Sequence, residues 1–288
     1  MKILKLSNDL CITTGLRTTH GMSGHVFELI EYFYYFYFYH SVDAVILVPF
    51  EISEDAFFNC LEKYTFTESE INIIKQRTIF NTDVKLLYCR NILFTDGAIN
   101  DVPVLSKNII FLRCKESRDL DKADIVLQDN RLYNELKNST HYIKKILMDK
   151  FIKINECEDN VLIYGTTNCR SLTYDELKAL DEKYHYNQYI LVSDKIQSVP
   201  DRFKCEIAPL KNLFSKFNVY IYTQLHQFLD HEPFDCSPRF PVECAYYHKK
   251  VIYDTPIIKG LDVRIYDIEN NFESLFLRRS DKIVEYLI

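Results

Sequence analysis

Apolar runs of strand length recur along this chain and alternate with segments of helical period, and this alternation constrains the fold more than any other feature. Residues 43–50, 84–89, 92–95, 109–114 and 125–127 form one such series, and residues 161–165, 189–193, 205–208 and 219–222 form another. A sheet with one wet face alternates apolar and polar positions. Continuous apolar runs separated by helices belong instead to strands buried on both faces of a parallel sheet. The expected fold class is therefore α/β, built as two Rossmann-like halves of similar plan.

The helices follow from start signals. Ser53 before Glu54 and Asp55, Thr67, and Thr173 before Asp175 and Glu176 are N-caps with acidic first turns. They open helices from 53, over 67–76 and over 173–183. Further helices are expected over 26–39, over 130–150 with a break at Asn138, Ser139 and Thr140, over 210–217 as a short piece, and over 272–288; residues 263–266 read as a strand. At 288 residues the chain is long enough for two domains. A polar linker at 155–160 sets the expected boundaries: an acceptor-side domain over 1–154, a nucleotide-sugar domain over 155–271, and a C-terminal helix over 272–288 packing back on the first domain.

Composition excludes some classes. The net charge of −6 gives no whole-protein attraction to nucleic acid or anionic membrane, so a polyanion must meet a local patch. Nine cysteines without a Cys-x-x-Cys pair argue against a disulfide framework and a structural zinc site, and fit a reducing cytoplasm. The first residues read as a strand rather than a signal peptide. Tyr32 to Tyr39 are eight consecutive aromatic residues, far short of the ~20 that span a bilayer, and no membrane span is expected. That segment is apolar nearly all round and reads as core rather than as a stacking platform.

Of six glycines, Gly15, Gly21 and Gly24 crowd into one loop after the first strand, ahead of the aromatic helix. Strand, glycine loop and helix make a phosphate or sugar cradle. His25, just past Gly24, has the ordinary imidazole range for taking a proton from a hydroxyl, or it is a hydrogen-bonded helix-start residue. Asp96, at the end of the strand 92–95, is a second candidate base or a turn residue beside Gly97.

The stretch 232–254 reads as a donor site. Ser237 is placed to cap a helix whose first turn accepts Pro238, and the N–H groups at such a helix start bind phosphate. Arg239 falls in that turn and offers a guanidinium to phosphate oxygens. Glu243 stands one to two turns on, where a carboxylate meets a ribose hydroxyl. Pro241 complicates the register by removing an N–H. An ordinary loop, helix and strand with solvated Asp235 and Glu243 is the plain alternative.

Two Rossmann-like halves, Gly24-His25 near the N-terminus and the late segment from Glu232 to Tyr253 together resemble the GT-B glycosyltransferases, across the whole chain in plan and in two segments in detail. Glu232-Pro-Phe-Asp235 is similar to the family's Glu-x-Phe-Gly. Asp235 precedes Glu243 by the family's spacing of eight, whereas Glu232 does not. The resemblance implies two domains facing each other across a cleft. It implies His25 or Asp96 as acceptor-activating catalytic residue, and donor contacts from Gly24, Gly165, Arg170, Asp235, Ser237, Arg239 and Glu243. Only Arg170 is basic in the loop after Gly165, so Arg239 substitutes for the second cation of the family's usual pair. The implied donor is a nucleotide-diphosphate sugar, of the UDP-sugar kind, with no metal or other cofactor required. Ser237-Pro-Arg-Phe-x-x-Glu243 is similar, over a short match, to bacteriophage DNA glucosyltransferases. The acceptor expected is thus a hydroxymethylated pyrimidine in double-stranded DNA, inside a host cytoplasm, with Lys137, Lys144, Lys145, Lys150, Lys153, Arg278 and Arg279 as phosphate contacts. A surface polysaccharide, lipid or protein acceptor is the alternative in the same fold; a non-catalytic nucleotide-binding or interaction protein is the alternative from another class.

Overall fold

The structure is a computed structural model that describes residues 3–14, 24–82, 84, 86–95, 104–113, 123–128, 140–142, 147–164, 171–193, 195–207, 212–223, 238–255 and 261–286. The chain divides into two compact units, Met1–Ile152 with Glu269–Ile288, and Lys153–Ile268.

The first unit runs β1 (Ile3–Lys5), β2 (Leu10–Thr13), α1 (Gly24–Tyr34), β3 (Ala44–Val48), α2 (Glu54–Phe58), α3 (Glu68–Gln76), β4 (Thr78–Phe80), β5 (Leu86–Tyr88), β6 (Asn91–Phe94), β7 (Val104–Leu105), β8 (Asn108–Arg113), β9 (Ile125–Gln128) and β10 (Thr140–Tyr142). Among the described residues seven strands form one sheet in the order β10-β9-β8-β6-β2-β3-β4, every pairing parallel. Leu10, Cys11, Ile12 and Thr13 are all buried, as a central parallel strand requires, and β3 is buried throughout. Cys11, Val45, Leu47, Ile92 and Phe94 pack on one face, and α1 covers the other, lying on β2 and β3. The aromatic run is core through Phe36, with Tyr32, Phe33, Tyr35 and Phe36 fully buried. Its second half, Tyr35–Tyr39, winds as a π-helix rather than continuing α1.

Several expectations are corrected here. β1 joins β5 and β7 in a separate parallel sheet, so β2, not the first strand, leads to the glycine loop. The helix expected over 130–150 gives way at Thr140–Tyr142 to β10, which pairs parallel with β9, and Met148–Lys150 is a 3-10 turn. Edge pairing of β10 to β9 supplies backbone hydrogen bonds that a helix would otherwise make internally, and 130–139 and 143–146 lie outside the described residues. The β-branched Val263 and Ile265, read as strand, lie in a helix, α6 (Leu261–Asn270), because Leu261 packs into the core of the second unit with Ile265 beside it. The helix expected over 272–288 is instead two 3-10 turns, Phe272–Leu275 and Ile283–Tyr286, with an intervening stretch whose Asp281 carbonyl accepts from the Tyr35 hydroxyl within the first unit.

The second unit runs β11 (Val161–Tyr164), α4 (Tyr174–Tyr184), β12 (Tyr189–Ser193), β13 (Phe203–Ile207), β14 (Val219–Tyr222), α5 (Arg239–Tyr246), β15 (Lys250–Tyr253) and α6. Its described strands form a parallel sheet in the order β13-β12-β11-β14-β15. Alternate residues of β11 face opposite sides: Val161 and Ile163 join Leu177, Leu180 and Leu191 under α4, while Leu162 joins Phe214, Phe217, Tyr220 and Cys244 under α5.

The start signals are realised as capping boxes. The Thr67 and Thr173 hydroxyls accept from the Glu70 and Glu176 N–H groups, and those carboxylates accept from the threonine N–H groups in return. Ser53 caps α2 by accepting from Ala56 N–H. Thr173→Ala is expected to lower the stability of the second unit by about 1 kcal/mol, read by hydrogen exchange at β11 and β12.

Candidate functional site

In open parallel sheets ligands bind beyond the carboxyl ends of the strands, where the winding reverses. In the first unit the reversal lies between β2 and β6. Thr13 pairs with Phe94 there, and Thr95 N–H donates to Thr13 carbonyl at 2.8 Å. Thr13, Thr14 and Thr95 are buried at this edge. The chain leaves β2 toward the glycine loop, and Gly24 and His25 open α1. It leaves β6 directly toward Asp96. The topology therefore starts both segments that carry the candidate bases from neighbouring strand ends. Asp96 and the His25 side chain lie outside the described residues. On the same edge, beyond β3 and β4, a cavity of ≈ 530 Å³ is lined by Phe50, Glu51, Ile52, Ser53, Phe80 and Thr82. Phe50 and Phe80 are far apart in the chain and line one cavity only because β3 pairs with β4, so no local pattern marks it.

In the second unit the reversal lies between β11 and β14. The segment 165–170, with Gly165 and Arg170, follows Tyr164 at the end of β11; the segment 224–237, with Asp235 and Ser237, follows β14 and leads into α5. Those four residues also lie outside the described residues. Arg239 and Glu243 are described, and α5 brings them together.

The N-cap of α5 is Pro238, without a side-chain cap, so the expected cap at Ser237 is corrected by one position. With Arg239 as the first helical residue, Pro241 is the third. A helix leaves its first N–H groups without internal partners, so a proline there removes no helical hydrogen bond. This resolves the difficulty Pro241 posed. It also means that Pro238 and Pro241 contribute no donors to the helix start, leaving Arg239 and Phe240 as its N–H donors.

Phe240 anchors this turn on the sheet: its ring meets Tyr164 edge-on at 5.0 Å, Tyr220 edge-on at 4.8 Å, and stacks with Phe214 at 5.1 Å. Arg239 and Glu243, four apart, lie on one face. Arg239 Nε donates to Glu243 Oε1 at 2.5 Å, with side chains 13% and 3% exposed. Burial, then the charge of Glu243 and Cys244, pushes the Tyr164 hydroxyl well above the ordinary phenol range. Burial, then Glu243 and Tyr246, does the same to Tyr247. Tyr164 and Tyr247 are thus neutral phenols within electrostatic reach of a buried carboxylate. Their part in the site was not legible from 232–254 alone, although the position of Tyr164 just before Gly165, at the end of the second unit's first strand, was a signal for it.

Glu243 is therefore not the solvated carboxylate of the plain alternative. Its position makes it first of all the group that orients Arg239.

The cations expected to meet DNA are partly committed elsewhere. Lys150 Nζ pairs with Glu70 at 3.4 Å and lies 4.8 Å from the Tyr34 ring centroid. Arg278 pairs with Glu273, and the Arg279 guanidinium stands 6.0 Å from the Tyr39 ring centroid. Lys153 is exposed. Lys137, Lys144 and Lys145 lie outside the described residues.

Among the described residues no group of three His, Cys, Asp or Glu side chains is placed to hold a metal ion. Asp119 and Asp121, outside the described residues, have the spacing at which two carboxylates share a divalent cation. Metal independence thus rests on the resemblance alone. Among the described residues no helix is long and apolar enough to cross a membrane. No protein-family model matches the chain, and no curated protein matches it in sequence.

Proposed function

We propose that this chain is a glycosyltransferase of the GT-B kind, with the nucleotide-diphosphate sugar taken by the second unit and the acceptor by the first. The observation that carries the reading is the buried Arg239–Glu243 pair in the first turns of α5, the helix that follows β14 at the reversal of a five-stranded parallel sheet. A guanidinium held rigidly there suits a diphosphate leaving group, whose charge must be stabilised as the bond to the anomeric carbon breaks. Glu243 holds the guanidinium and is the carboxylate offered to the ribose. Arg170, Gly165, Asp235 and Ser237 belong to the two segments that flank this helix start in the topology. The acceptor hydroxyl attacks the anomeric carbon, the nucleoside diphosphate departs, and the acceptor proton passes to His25 or Asp96.

The acceptor in this reading is the hydroxymethyl group of a modified pyrimidine in phage DNA. The commitments of Lys150 and Arg278 to Glu70 and Glu273 favour a second reading, in which the acceptor is a polysaccharide, lipid or protein hydroxyl.

Calorimetric titration with UDP- and GDP-sugars is expected to show binding of one donor class. Arg239→Lys is expected to weaken it by about tenfold or more, since an ammonium cannot reproduce the fork geometry of a guanidinium. Incubation of hydroxymethylated DNA with mixed sugar nucleotides is expected to add one hexose or pentose mass per modified base. Transfer that falls steeply with salt supports the DNA acceptor, and flat salt dependence supports the other. Neither binding nor donor hydrolysis across the panel would overturn the enzymatic reading in favour of a non-catalytic protein.

A further inference from the structure

Lys249, between α5 and β15, is 9% exposed, and the polar group its ammonium meets is a sulfur. Its Nζ donates to Cys157 Sγ at 2.7 Å and stands 5.5 Å from the Phe217 ring centroid; no carboxylate among the described residues pairs with it. Burying an ammonium costs several kcal/mol unless an anion or strong acceptors compensate. Cys157 lies in the extended stretch that leads into β11 and is exposed, and its sulfur also lies 2.7 Å from Phe217 carbonyl and 3.4 Å from Glu158 carbonyl. A thiol that solvent reaches on one side and a buried cation touches on the other is the environment of reactive cysteines rather than inert ones.

The other described cysteines lack it. Cys11, Cys60, Cys89 and Cys244 are buried, and desolvation pushes the Cys11 and Cys89 thiols upward. Cys205 is half-buried, and its sulfur contacts the Lys195 carbonyl at 3.7 Å.

We propose that Cys157 is a peroxide-reactive modification site whose reactivity is set by Lys249. Sγ attacks one oxygen of hydrogen peroxide or an organic hydroperoxide. An S–O bond forms as the O–O bond breaks, the thiol is oxidised to a sulfenic acid, and the peroxide is reduced. The departing oxygen leaves with the thiol proton, as water or alcohol. The Lys249 ammonium, set against the sulfur, stabilises the negative charge that passes from Sγ to the departing oxygen as the O–O bond breaks. The assignment is independent of the glycosyl-transfer reading.

The test treats the full chain with limiting hydrogen peroxide, traps sulfenic acid with dimedone, and reads each cysteine by peptide mass spectrometry. Cys157 is expected to label at least about tenfold faster than Cys205. Lys249→Met is expected to slow Cys157 by about tenfold while Cys205 stays unchanged, and Lys249→Arg to restore most of the rate. Equal labelling of Cys157 and Cys205, or a Lys249→Met chain that labels at the original rate, overturns the proposal. A Lys249→Met chain in which Cys244, buried in the same unit, also labels has lost the fold of that unit; the Cys157 to Cys205 ratio in the unmodified chain and in Lys249→Arg then decides.

Discussion

Glu243→Ala lowers the stability of the second unit by about 3–5 kcal/mol, the cost of removing one partner of a buried ion pair. The carboxylate is 3% exposed and Arg239 is 13% exposed, so solvent screens the pair poorly. Arg239→Met combined with Glu243→Leu recovers most of that loss, because two apolar side chains of similar volume suit a site this far from solvent. If the pair serves only stability, the double variant also keeps donor binding. If it grips a diphosphate, the double variant is stable and fails to bind. Urea unfolding together with titration of the donor separates these outcomes. A single variant Glu243→Ala that unfolds at the original urea concentration would show that the pair is solvated in solution.

Phe36→Ala costs the first unit about 3–5 kcal/mol, a large share of the 5–15 kcal/mol that ordinarily separates folded from unfolded. Phe36 is fully buried in the π-helical turn, where it stacks with Tyr32 at 6.3 Å and meets Tyr35 edge-on at 5.0 Å, and its carbonyl accepts from Val42 N–H. Rigid aromatic neighbours collapse poorly into the space a ring vacates, so the cavity cost adds to the lost burial. The loss is best read by hydrogen exchange at β2 and β3, since an optical transition of a chain with two units mixes both. Tyr37→Ala, three-dimensionally at the half-buried end of the same turn, should cost markedly less.

Parallel β/α architecture was legible in the chain because its signal is local. Ala44 to Val48 and Tyr189 to Val192 are apolar at successive positions, as suits a strand buried on both faces. Thr67 and Thr173 announced their helices because a capping box needs only residues three apart. The misreadings arose where a partner distant in sequence decided the state. Thr140 to Tyr142 became strand by pairing with β9, and Val263 to Tyr266 became helix under the demand of the core around Leu261. The aromatic run was recognisable as core from its composition, but its switch from α to π winding was not.

The candidate site divides the same way. The spacing of Arg239 and Glu243 placed both on one helix face, Gly24-His25 was legible as a helix start, and Asp96 was expected at a strand end. Local spacing determined that much. Only tertiary structure decided that the Arg239–Glu243 pair is buried with Tyr164 and Tyr247 near its carboxylate, and that β2 and β6 lie side by side where the winding reverses. Only tertiary structure, too, brought Cys157 to Lys249 across 92 positions of sequence. Periodicity and capping are properties of near neighbours and survive in the chain as written. Burial and charge pairing depend on which distant segments share a face, and these exist only once the parallel sheets have formed.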